Sequence, residues 1–321
     1  MKLTPVSHRR NVGTMGSADT GAMNGRVAGT TIPNSVKQTD KNSVTMATKS
    51  LSGADNSIDS GSAIARAFVA ARSKATALPD YPGQVPEGMD AAYAIQDQAI
   101  GLWDDQIAGW KIGRIPDAWL ERLNAPRLAG PIFRRAVWTA TDGETMDFPV
   151  FEGGFAAVEA EFILKLAKDA PADRIDWTAE DAAELVETLI VGVEPAGSPL
   201  ATINVLGPPV VASDFGNNAG LILGPQVSDW RDRMMDLTCE TFIEGESVGE
   251  GGAATIPGGP LEALAFLLNL NARRGRPLKA GDLISTGAAT GIHDIVAGQS
   301  SRVVFHGVGE ILCRAVTAKG A

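Results

Sequence analysis

Hydrophobic and polar positions divide the chain into an unpatterned start and a strongly patterned body. Residues 1–60 contain no Phe, Trp or Tyr and are rich in Ser, Thr, Asn, Gly and Ala. Such a segment buries too little apolar surface to offset the entropy of ordering it, so a disordered N-terminal extension is expected there. Order is expected from about Ser62, with residues 61–321 as one domain. Ile64 and Phe68, four apart, predict a short helix over 63–73. Pro79 to Pro86 breaks the pattern. Ala92, Ile95, Ala99 and Leu102 then form one stripe of a helix over 90–102.

From Gly109 onward the apolar residues come in short runs that favour strands. Gly109-Trp110-Lys111-Ile112-Gly113 is one, 129–133 a second, and 157–167 a third. Thr178 and Asp181 resemble a capping box opening a helix over about 179–188, which delivers the chain to a strand ending at Glu194. Phe242–Val248, with Glu244-Gly245 at its centre, predicts a hairpin. Pro260 opens a helix whose buried side is Leu264, Leu267, Leu268 and Leu270, and Gly275 with Pro277 stops it. Leu283–Thr286 and Arg302–Phe305 complete the strands. The order lacks regular βαβ alternation, so the expected class is mixed α/β of the α+β kind rather than a doubly wound sheet.

Three carboxylates interrupt the apolar pattern. Glu159 and Glu161 are two apart on one strand and therefore project to the same face, and Glu194 ends another apolar run. Close carboxylates in apolar surroundings repel unless one takes a proton or a cation lies between them, and a third favours the cation. Hard anionic oxygens suit Mg²⁺ or Mn²⁺. Lys111 sits between Trp110 and Ile112. It is either a lysine snorkelling from a strand or a cation placed to neutralise a substrate carboxylate or enolate. The segment Asp282 to Gly291 runs from a strand into a glycine-punctuated loop, where Thr286 and Gly287 can offer a hydroxyl and backbone N–H groups to a carboxylate. His293 near this loop is either a base or, as a lone histidine more often is, a structural side chain. No phosphate-binding loop is present, and the Gly245-Glu246-Ser247-Val248-Gly249 match falls in the expected hairpin instead of a strand-to-helix elbow.

Composition narrows the function classes. The chain of 321 residues is 44% hydrophobic and 21% charged, the balance of a globular protein, and no run approaches the ~18 apolar residues of a membrane span. Residues 1–60 hold seven Lys/Arg and four Asp/Glu, leaving 21 basic and 34 acidic residues in the body. A body this acidic repels nucleic acid phosphates, which argues against a DNA or RNA partner. Cys239 and Cys313 are too few for a disulfide framework and fit reduced thiols in a cytoplasmic protein. The start lacks the apolar stretch of a secretory signal, and Met46 offers an alternative initiation point.

Taken in order, the Gly109–Gly113 segment, Glu159-Ala160-Glu161, Glu194, Ser213-Asp214 before an Asn/Gly stretch, and Arg276 to Asp282 leading to Thr286-Gly287-Ala288 form one combination. It resembles the 2-keto-4-pentenoate hydratase branch of the fumarylacetoacetate hydrolase superfamily, over about residues 62–318. The resemblance implies a rolled, barrel-like β-core with flanking helices and a Mg²⁺ or Mn²⁺ held by Glu159, Glu161 and Glu194. It implies a short 2-oxo acid or its dienol as substrate, with Lys111 near the substrate carboxylate and in proton transfer. Asp214, Thr286 and Gly287 match substrate-side positions, and a homo-oligomer is implied. Hydratases of this branch often carry an acidic residue shortly before the Gly-x-x-Phe segment. Here Arg127 and Leu128 occupy that stretch. Arg127 either binds a second carboxylate or other polar substrate group, or lies at the surface. The expected activity is hydration. Decarboxylation or C–C hydrolysis of a related 2-oxo acid is the alternative, and a relative that binds without turnover is the third.

Overall fold

The computed structural model describes residues 52–320. Residues 1–51, with most of the expected tail and Met46, lie outside the described residues. The first helix runs Ser52–Ser73, opening ahead of Ser62, and the second runs Met89–Leu102. Ile64, Phe68, Ala92, Ile95 and Ala99 are buried as the periodicity requires, whereas Leu102 at the helix end is exposed.

The strands follow in chain order. They are β1 (Ile107–Arg114), β2 (Arg127–Phe133), β3 (Val137–Thr139), β4 (Thr145–Val150), β5 (Phe155–Leu166), β6 (Val186–Ser198) and β7 (Leu221–Val227). Then come β8 (Thr238–Ile243), β9 (Glu246–Gly252), β10 (Leu283–Ser285), β11 (His293–Asp294), β12 (Ser300–Phe305) and β13 (Gly309–Thr317). One mixed sheet has the order β2-β1-β10-β5-β6-β7-β3, with β11 also pairing β5, and a second has the order β4-β13-β12-β8-β9. The sheet curls into the half-barrel that the resemblance implied, with helices on its flanks. No described helix is long and apolar enough to cross a membrane.

The long antiparallel pair β5–β6 is the spine, and it is buried on both faces. Alternation sends Val158, Ala160, Phe162 and Leu164 of β5, with Leu189, Val191 and Val193 of β6, into the main core. The opposite face carries Glu159, Glu161 and Ile163, opposed by Glu194, Gly192 and Ile190. Ile163 and Ile190 belong to a separate small apolar cluster with Ile132, Leu221 and Leu283. One strand pair therefore uses its first face for packing and its second for charge.

Several local expectations are corrected. The helix after Thr178 is only Ala179–Ala183, although Asp181 N donates to the Thr178 hydroxyl as the capping box requires. Leu185 and Val186 turn into the core, and the β-branched run that follows joins β6 instead of prolonging the helix. β6 also continues beyond Glu194 to Ser198, because Phe155–Val158 extends its partner strand past Pro195. The hairpin turn falls on Glu244-Gly245 as expected, both with positive φ (51° and 88°). Leu264, Leu267 and Leu268 are buried on the helix Gly259–Arg273, while Leu270 is only partly so.

The first helix is pinned to the sheet by charge. Arg72 donates from Nη2 to Asp214 Oδ2 at 2.9 Å and from Nη1 to the Asn218 carbonyl at 2.9 Å, and its guanidinium lies 5.2 Å from the Phe215 ring centroid. The two side chains are 6% and 0% exposed. Removing one partner strands the other charge without water. Arg72→Ala is therefore expected to lower the unfolding free energy by about 3–5 kcal/mol in urea denaturation; a loss below about 1 kcal/mol would mean that the pair is not the anchor.

Candidate metal centre and substrate cavity

The three glutamates converge as the i, i+2 spacing and the β5–β6 register dictate. Glu159 faces Glu194 directly across the strands. Each carboxylate offers one oxygen within 4.8 Å of those of the other two. Glu161 lies opposite Gly192, where an added Cβ would sit 2.3 Å from Ile163 Cδ1, so the space beside the carboxylates is tightly bounded. Exposures of 3%, 0% and 0% for Glu159, Glu161 and Glu194 make this a dry site.

Second contacts orient two of the acids. Glu161 Oε2 accepts the Gly287 N–H at 2.7 Å, and Glu194 Oε1 accepts Asn218 Nδ2 at 3.0 Å. Lys111 Nζ lies 3.2 Å from the same Glu194 oxygen and donates to Asn217 Oδ1 at 3.1 Å. Three of the four remaining oxygens, Glu159 Oε1, Glu161 Oε1 and Glu194 Oε2, are buried without a hydrogen-bond partner among the described residues. Buried polar atoms are rarely left this way. Three carboxylates against one ammonium leave two negative charges when all are ionised. An all-oxygen set with that deficit fits a divalent hard cation.

The protonation equilibria carry the same strain. Burial, opposed by Lys111 and aided by Glu194, pushes Glu159 up to about 7. Burial and the charges of Glu194 and Glu159 push Glu161 well above the usual carboxylate range. Burial alone would pull Lys111 down, but the field of Glu194, Glu159 and Glu161 overrides it and holds the ammonium charged.

A cavity of about 560 Å³ opens onto this cluster, a size suited to a small organic ligand. Lys111, Glu159, Arg127, Thr286 and Gly287 all line it, together with Leu128 and Asn217. Thr286 Oγ1 donates to the Phe162 carbonyl at 2.6 Å, and the Gly287 N–H is taken by Glu161. Both residues thus tie the loop after β10 to β5 while walling the cavity. The expectation for Asp214 is corrected. It does not line the cavity but lies behind the wall, held by Arg72 and by Ser198 Oγ at 2.6 Å. His293 turns its Nε2 toward Thr290 O at 3.1 Å, and burial lowers its pKa.

Asn217 and Asn218 are the site residues that the sequence reading missed. They follow Phe215 and Gly216 in a turn where Phe215, Gly216 and Asn217 all have positive φ. Gly130 lets this turn approach β2, since a Cβ there would meet the Phe215 carbonyl oxygen at 1.9 Å. The Asn/Gly stretch itself was the available signal, a turn composition next to a buried Ser213-Asp214.

No family model matches the chain. It is 30% identical over 227 residues to the 2-keto-4-pentenoate hydratase of Burkholderia vietnamiensis, covering 68% of this chain and 83% of that one. The chain belongs to the 2-keto-4-pentenoate hydratase branch of the fumarylacetoacetate hydrolase superfamily. Within the branch it is also similar to the 2-keto-4-pentenoate hydratase of Paraburkholderia phymatum, at 28% identity over 265 residues, 80% of this chain and 97% of that one. Its fold is similar to that of 4-oxalocrotonate decarboxylase from Pseudomonas putida, solved with magnesium and adipate. That likeness has a TM-score of 0.67 and 20% identity, and covers 80% of this chain and 98% of that one. Leu128, with Arg127 beside it, is the departure that the resemblance marked, and it stands on the cavity wall.

The charge deficit makes metal binding measurable without turnover. At a free Mn²⁺ concentration a hundred times Kd, stabilisation of about 2.7 kcal/mol is expected, a rise of roughly 5 °C in Tm. EDTA should reverse the rise and Glu161→Gln should abolish it in scanning fluorimetry; an undiminished rise in the variant would refute the cluster as the site.

Proposed function

We propose that the protein is a divalent-metal-dependent hydro-lyase acting on a short 2-oxo acid or its dienol, of the kind that 2-keto-4-pentenoate hydratases act on. The observation that carries this is the trio of dry glutamate oxygens without partners, beside a charged lysine at the base of a small cavity. Glu159, Glu161 and Glu194 are the residues that would hold Mg²⁺ or Mn²⁺, and such an ion supplies Lewis acidity toward the oxygens of a 2-oxo acid.

The chain's own residues do the rest. The Lys111 ammonium, held by Glu194 and Asn217, meets the negative charge that develops when the dienol shifts its enol proton toward carbon. Its three donors leave one direction for the cavity after those two contacts. Thr286 and Gly287 fix the Glu161 strand against the loop and shape the cavity floor. Leu128 and Ile256 keep water from the carbon chain on their side. Water then adds across the conjugated C–C bond, hydroxyl to the β-carbon and proton to the α-carbon.

Leu128 supports a second reading, because an apolar side chain there cannot activate water. The same enolate chemistry would then serve decarboxylation or C–C bond hydrolysis of a related 2-oxo acid. Incubation with Mg²⁺ and 2-hydroxypenta-2,4-dienoate is expected to give a product heavier by one water. If the dienoate stays unchanged while oxaloacetate or an acylpyruvate is consumed, hydration is wrong. Loss of no substrate in the panel, with oxalate still bound, would leave only a binding protein.

The free, buried Cys239 and Cys313 suit a reducing cytoplasm. We infer a homo-oligomer, for which Val205 at 83% and Val296 at 64% exposed are candidate contact positions. Light scattering after size exclusion should give a multiple of the 33.4 kDa chain mass, and a monomer would exclude this assembly.

A further inference from the structure

Three cationic side chains line the cavity, and they are not equivalent. Lys111 is paired with Glu194. Arg114, at the mouth, is paired with Asp117 at 2.6 Å and both are well exposed. Arg127 is neither exposed nor paired. Only 8% of it reaches solvent, and its one hydrogen bond among the described residues is donated from Nη2 to the Pro257 carbonyl. That contact uses part of a five-donor fork. Burial lowers the pKa of its guanidinium, and Glu262 counters this without forming an ion pair. A partly buried guanidinium that lines a cavity without an ion-pair partner among the described residues is suited to receive an anion.

Its position relative to the glutamate cluster sets a length. Arg127 opens β2 and stands opposite Arg114 in the β1–β2 register, while Lys111 stands opposite Gly130. Lys111 and Arg114 are therefore separated along β1 by roughly 10 Å at about 3.3 Å per residue. Between them the wall is apolar, made by Leu128, Ile256 and Val211. An extended six-carbon diacid separates its carboxyl carbons by roughly 6 Å, about 1.25 Å of advance for each 1.52 Å C–C bond. Lys111 and Arg127 line the same cavity, so a ligand that reaches both must span a length of this order.

We infer that Arg127 forms a second carboxylate subsite and that the ligand class is a 2-oxo dicarboxylate, with its 2-oxo acid end at the glutamate cluster and its far carboxylate on Arg127. This rests on the proposed reading of the glutamate cluster and adds to it a preference, among short 2-oxo acids, for those with an acidic tail. The competing account makes Arg127 a strut tying β2 to the segment around Pro257, in which case a tail carboxylate gains nothing.

Calorimetry on the full chain with Mg²⁺ separates these accounts, using oxalate, 2-oxohexanoate and 2-oxoadipate. The last two share a chain length and differ at the tail. 2-Oxoadipate should bind at least tenfold more tightly than 2-oxohexanoate. Arg127→Gln should shrink that ratio to within twofold, and Arg127→Lys should retain part of it. Should Arg127→Gln fail to fold, the salt dependence of the native protein decides. Raising the salt concentration should then weaken 2-oxoadipate more than 2-oxohexanoate. A ratio within twofold in the native protein, an equal weakening by salt, or an unchanged preference in Arg127→Gln overturns the subsite. Oxalate bound with no tail preference removes the subsite alone. Oxalate that fails to bind removes the reading of the glutamate cluster and the subsite with it.

Discussion

Repulsion among three buried carboxylates is the constraint around which the β5–β6 pair is organised. Two like charges set directly across an antiparallel pair destabilise it, and here a third is added with almost no water to screen them. The arrangement persists because the opposite face of the same strands is locked into the main core by Val158, Phe162, Val191 and Val193. The packed face holds the backbone in place, and the charged face is left with an electrostatic demand that Lys111 meets only in part.

The surrounding hydrogen bonds follow from that demand. Gly287 N–H and Asn218 each hold one oxygen of an acid, which leaves that acid's other oxygen for the common centre. Supporting contacts of this kind orient ligands and set their basicity. The cavity then has an ionic end at the glutamates, an apolar middle, and a guanidinium on its wall. Fold likeness alone does not specify which reaction such a chamber runs, since relatives with this architecture include a hydratase and a decarboxylase by name.

Much of the centre was legible because it depends on local period. Glu159 and Glu161 share a face by strand geometry, and Lys111 stood out as a charge between Trp110 and Ile112. Glu194 was visible as an acid ending an apolar run, but its register against Glu159 was not, because register belongs to the strand pair and not to either strand. Asp214 was misread for a related reason. Its partner Arg72 lies far away in sequence, and a buried aspartate beside a turn looks the same whether it faces a ligand or an arginine. Asn217 and Asn218 had turn composition and no periodicity, so their contacts to Lys111 and Glu194 could only come from tertiary packing. The short helix at Ala179–Ala183 shows the converse, a correct cap with its continuation overridden by the burial of Leu185 and Val186.

The Arg72–Asp214 clamp makes the amino-terminal helix a component of the centre, although none of its described side chains lines the cavity. Asp214 begins the turn that presents Asn217 to Lys111, and the same guanidinium grips the carbonyl of Asn218, whose amide supports Glu194. A piece trimmed to begin at the first strand would keep every proposed ligand yet lose the brace behind two of their supports. The smallest unit able to hold its ion in order is thus set by an arginine on the outer layer, well before the sheet begins.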